Sequence, residues 1–142
     1  MTRQYGFEKL SVWQNSRTLV KEVHMLAKKL PTEERYGLCN QVHRAAVSVS
    51  SNIAEGASRT GNMDHGHFYQ TAYASLMEVL CQLTLCLDLG YIDDEAHSST
   101  RAKVDLVAYQ LNQLRSAALS KPSQPSHSKA LNLLNHGAKS DL

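Results

Sequence analysis

The stretch Arg44–Gly56, R-A-A-V-S-V-S-S-N-I-A-E-G, decides the fold, because it combines a helical period with side chains too small for an ordinary helix surface. At about 100° per residue, Leu38, Val42, Ala45, Val49 and Ile53 share one face, and Gln41, Arg44, Ser48, Ser51, Asn52 and Glu55 share another. The second face is polar and nearly free of bulk. Two readings of it stand. It lets a second helix or a nucleic-acid backbone come close and meet hydroxyl, amide and guanidinium groups, or it is merely solvated. Ser and Asn cost helix propensity, and a merely wet face is more often built from Glu and Lys.

The chain around this helix has 142 residues, 42% of them hydrophobic and 20% charged, which suits one globular domain with a real core. Only three prolines occur, at 31, 122 and 125, so long stretches are left free to be helical. A formal charge of +2 is too mild to imply nucleic acid by itself, so any electrostatic reading depends on where the charges lie. No apolar run is long enough to span a bilayer and the N-terminus lacks a signal-peptide core, which predicts a cytoplasmic protein with no membrane partner. Cys39, Cys81 and Cys86 show no metal-ligand spacing and read as buried thiols.

The period predicts four helices. The first spans about 7–30, ends before Pro31, and buries an arc of Val12, Trp13, Leu19, Val20, Val23, Leu26, Ala27 and Leu30. Opposite that arc Arg17, Lys21, His24 and Lys28 form a basic ridge with no acid in it, since Glu22 points about 100° away. A ridge of this kind is either a binding face or a solvated one. The second helix spans about 36–56 and stops at Gly56. The third, about 64–89, has a core face of Phe68, Ala72, Leu76, Val79, Leu83 and Cys86 and a second apolar stripe of Met77, Cys81, Leu85 and Leu89. Two greasy faces call for two partners, so the second stripe is read as a subunit interface. No Lys or Arg lies between Arg59 and Arg101, which confines the basic character to other helices. The fourth helix, about 93–120, carries a seam of Ala96, Thr100, Val104, Val107, Leu111, Leu114 and Ala118. The short connection between Gly90 and Asp93 predicts antiparallel neighbours. A Pro/Ser linker and a flexible or docking tail follow over 121–142.

Several ordered blocks together resemble the bacterial four-helix-bundle family of 23S rRNA intervening-sequence proteins. They are F-E-K-L-S-V-W-Q at 7–14, P-T-E-E-R-Y-G-L at 31–38, the Arg44–Gly56 block, A-S-L-M-E-V-L-C-Q-L at 74–83 and L-G-Y-I at 89–92. The resemblance implies an antiparallel up-down bundle that assembles into a homo-oligomeric ring or barrel, typically a pentamer. The same bundle type is similar to the basic accessory subunit of diversity-generating retroelements, which binds a reverse transcriptase and nucleic acid. Three positions depart from the pattern: His43 stands where a second basic residue is frequent, Ser50 where Pro is common and Ala74 where Gly is frequent. The first departure implies RNA affinity that is lower or pH dependent.

The leading functional expectation is a non-enzymatic oligomeric adapter that grips structured RNA or an RNA/DNA hybrid by its backbone and serves a reverse transcriptase. Its contacts are expected at Arg17, Lys21, His24, Lys28, Arg44 and Arg59. A ring repeats that weak ridge into useful avidity. No aromatic interleaves the ridge, so base-specific readout is not expected. The alternative is a protein scaffold without nucleic acid, in which Ser48, Asn52 and Glu55 join Met77, Cys81, Leu85 and Leu89 in the oligomer interface. Arg44 and Glu55 would then find ion-pair partners on other helices or subunits. An enzyme is disfavoured and neither metal nor cofactor is expected. No Glu-x-x-His pair occurs, and His65 with His67 suit a helix end better than a metal.

Overall fold

The computed structural model describes residues 2–120, and the linker and tail expected over 121–142 lie outside them. Among the described residues all regular structure is helical. The helices are α1 (Ser11–Ala27), α2 (Leu38–Ser58), α3 (Asn62–Asp88) and α4 (Asp94–Ser120), with short 3-10 turns at Gly6–Lys9 and Thr32–Glu34.

The first predicted helix is thus a 3-10 turn followed by a shorter α-helix. Leu10 is extended (φ −74°, ψ 125°) and its carbonyl accepts from Gln14 N at 3.1 Å, so the helix proper opens only at Ser11. At the other end the chain tightens, with Lys29 N donating to Leu26 O and Leu30 N to Ala27 O, before Pro31 forbids a further helical turn. Helix α2 opens two residues later than expected, leaving Tyr36 and Gly37 outside it, and runs on through Gly56 to Ser58.

Gly56 does not cap α2. It is buried inside the helix, where an added Cβ would stand 2.8 Å from the Tyr69 ring and 3.0 Å from Phe68 Cβ. That absence of a side chain lets α3 press close, and Tyr69 fills the core position expected of Phe68. Phe68 stays half-buried, with the Arg59 guanidinium 4.7 Å from its ring centroid. The left-handed residue is Gly90 (φ 77°), which closes α3: Gly90 N donates to Leu87 O and Tyr91 N to Cys86 O, the paired bonds of a Schellman turn. Asp93 Oδ1 then accepts from Ala96 N at 2.8 Å and caps α4.

The four helices enclose one core. Leu19 and Val23 of α1, Val49 and Ile53 of α2, Leu76 and Val79 of α3, and Val104, Val107 and Leu111 of α4 are sealed from solvent. Hydroxyl and amide contacts stitch the seams: Ser16 to Ser50 between α1 and α2, Ser48 to Ser75 between α2 and α3, and Asn15 to Gln110 between α1 and α4. No described helix is long and apolar enough to cross a membrane.

Candidate nucleic-acid interface

Arg17, Lys21 and His24 are exposed on successive turns of α1, and Lys28 continues the row at its C-cap. Trp13, gripped edge-on by Phe7 with centroids 4.9 Å apart, carries the Arg17 guanidinium 5.2 Å above its ring. That contact holds the first cation in place without neutralising it. Glu22 turns to α4, where Lys103 pairs with its carboxylate and Thr100 Oγ1 and Ser99 Oγ donate to it at 2.9 and 3.4 Å. Partial burial opposes the charge on Glu22. The bonds from Lys103, Thr100 and Ser99 outweigh that and hold its carboxyl below the usual carboxylate range. The one acid of mid-α1 is therefore committed elsewhere, and the ridge keeps its charge.

At its C-terminal end the ridge meets α2. The His24 and His43 rings lie 5.7 Å apart, and both border an open groove of about 700 Å³ together with Lys28, Arg35 and Tyr36. The signal for Arg35 and Tyr36 was present in the P-T-E-E-R-Y-G-L block, but the turn between α1 and α2 had to fold before they joined the ridge. Arg44, one residue on from His43, faces α3 instead and borders a shallow pocket with Gln41, Ser48 and Glu78. Arg59 stands at the far end of α2, about 22 Å from Arg44 by helical rise. It pairs with Glu55 at 3.5 Å as well as covering Phe68. The structure thus gathers four of the six candidate contacts and separates Arg44 and Arg59 from them.

The residues proposed for oligomer contact also divide. Leu85 and Leu89 are 44% and 56% exposed and Cys81 is exposed beside them, whereas Met77 is half-buried against the core. Ser48 and Asn52 are half-buried, with Ser48 bonded to Ser75 and Asn52 Nδ2 donating to Ser48 O at 2.8 Å. Glu55 pairs with Arg59 one turn on, at the C-cap of its own helix. The expectation of three buried thiols fails at Cys81. Cys39 is half-buried, donates to Ala27 O at 3.4 Å, and is pushed up by burial and by the nearby Glu34 carboxylate, while Cys86 is fully buried.

His65 Nδ1 bonds to Gly56 O, tying the start of α3 to the end of α2, and His67 packs edge-on against Phe68. Among the described residues no group of three or more His, Cys, Asp or Glu side chains is placed to hold a metal ion.

A family model described as 23S rRNA-intervening sequence protein matches residues 8–123 of the chain. The chain belongs to that family. Among solved structures, this intervening-sequence protein is similar to a protein of unknown function from the S23 ribosomal protein family of Bacteroides thetaiotaomicron. The identity is 21% and the TM-score 0.69, over 73% of this chain and 97% of that one, a likeness of fold alone. No curated protein matches the chain.

Proposed function

We propose that this 23S rRNA-intervening sequence family protein is a non-enzymatic adapter that grips the backbone of structured RNA or an RNA/DNA hybrid. The observation that carries the reading is the row Arg17, Lys21, His24 and Lys28, exposed along one helix, with the neighbouring Glu22 drawn off to Lys103. Phosphates bind such a row by counterion release, with little regard for sequence. One subunit offers few charges, so useful affinity needs several copies. The exposed Leu85 and Leu89 support a homo-oligomer, of which a pentameric ring or barrel is the form implied by resemblance. Contacts between α3 and α4 pair Thr84 with His97 and Tyr73 with Arg115, one number falling as the other rises, which supports antiparallel up-down neighbours. Service to a reverse transcriptase is a finer form of the same role and rests on resemblance alone.

The test is filter binding of a structured RNA at low salt. The wild-type protein is expected to retain RNA, with a log–log salt slope that falls by about 2 to 3 when Arg17, Lys21 and Lys28 are changed together to Glu. Unaltered retention in that variant, or no retention by the wild type, refutes the reading. A protein scaffold without nucleic acid is the second reading, favoured by the exposed apolar pair on α3. It is distinguished by an assembly that persists while RNA is never retained.

A further inference from the structure

The groove where α1 gives way to α2 has a composition that the open ridge lacks. Its basic groups are His24, Lys28, Arg35 and His43, and none of the four makes an ion pair among the described residues. Its floor is apolar, formed by Ala27, Leu30 and Pro31. At its rim stands Tyr36, 85% exposed, with the Arg35 guanidinium 5.5 Å from the ring centroid. No acid lines the groove. Glu34, in the turn before α2, is not among the lining residues, and its carboxylate lies beside Gly37 at the start of that helix.

We propose that this groove takes one unpaired nucleotide of an RNA strand, its base stacked on Tyr36 and its phosphate held by Lys28 and the His24–His43 pair. The inference rests on the backbone-binding reading of the ridge and adds to it a preference for single-stranded segments. A tyrosine so open to water buries little of its ring in the fold. Its ring loses two rotatable bonds at most on binding, offers a stacking face to any base, and already carries a cation that leaves the opposite face free. The four basic groups line the same groove as that ring and supply a phosphate site beside it. Paired bases cannot reach Tyr36 without leaving their stack, so a duplex uses only the ridge.

Fluorescence anisotropy at low salt tests this with two labelled RNAs, a blunt two-stranded duplex and the same duplex carrying an unstructured overhang. The wild type is expected to bind the overhang form more tightly. Tyr36→Ala, at a position exposed enough to spare the fold, is expected to weaken that binding roughly five- to hundredfold, the range for stacking one base on an aromatic ring, and to leave binding of the blunt duplex unchanged. Tyr36→Phe is expected to keep the preference. Equal loss on both RNAs, or a preference that survives Tyr36→Ala, overturns the nucleotide site while leaving the ridge reading intact. Failure of the wild type to bind either RNA overturns both.

Discussion

Gly56 sets the separation of two helices by lacking a single carbon. A methyl group there would sit 2.8 Å from Tyr69 Cε1 and 3.0 Å from Phe68 Cβ, and the latter is anchored to backbone and cannot swing away. Gly56→Ala gains up to about 1 kcal/mol of helix propensity but overpacks the α2–α3 seam, which costs about 1–3 kcal/mol. A lower thermal midpoint is therefore expected for Gly56→Ala, and a smaller penalty for the same change in a Tyr69→Leu background. Equal penalties in the two backgrounds would show that the ring is not what the methyl group meets. The same residue marks a limit of the sequence. A glycine after a helical run signals either a left-handed end or a close approach, and only the partner helix decides between them. Gly90 took the first role and Gly56 the second.

Between elements, the polar junction of Glu22 with Lys103, Thr100 and Ser99 joins α1 to α4. Because the folded carboxyl titrates below its ordinary value of 4.5, its contribution to stability is whole above that value and drains away as the pH falls through the folded pKa. Glu22→Gln is expected to flatten the acid limb of the stability–pH curve while changing it little in slope near neutrality, as read by urea melts from pH 3 to pH 7. An identical acid limb in both proteins would assign that pH dependence to other carboxylates. The helices were legible because their cores repeat at 3.6 residues, and the seam of Val104, Val107 and Leu111 is sealed as its spacing required. Their ends were less legible, since a 3-10 turn at Gly6–Lys9 and an extended Leu10 carry the same apolar pattern as a helix. Phe68 and Tyr69 were also interchangeable on pattern, being neighbours of similar size at the edge of one arc.

For the whole molecule, the basic ridge and the open leucine pair lie on different helices, α1 and α3. The basic ridge was readable from one helix because its four members share a face. The groove was not, because Arg35, Tyr36 and His43 reach His24 only through the turn that Pro31 begins. The apolar stripe of α3 was readable too, yet the structure narrows it: Met77 spends itself on the chain's own core and leaves Leu85 and Leu89 as the open part. If these two leucines hold copies of the chain together, Leu85→Glu with Leu89→Glu is expected to reduce the mass seen by light scattering to that of one chain, with helical content preserved. An unchanged mass would place the contact on another face. RNA retention is expected to fall with the mass, since avidity depends on copy number.

Cys81 projects beside that leucine pair, while Cys39 is half-buried and Cys86 sealed. The chain therefore carries a natural reporter on the surface whose occupant is in question. A maleimide dye would label it first, and the labelling rate would slow whenever another protein covers that flank. No engineered cysteine is needed, and the rate is read on the purified protein with and without a candidate partner.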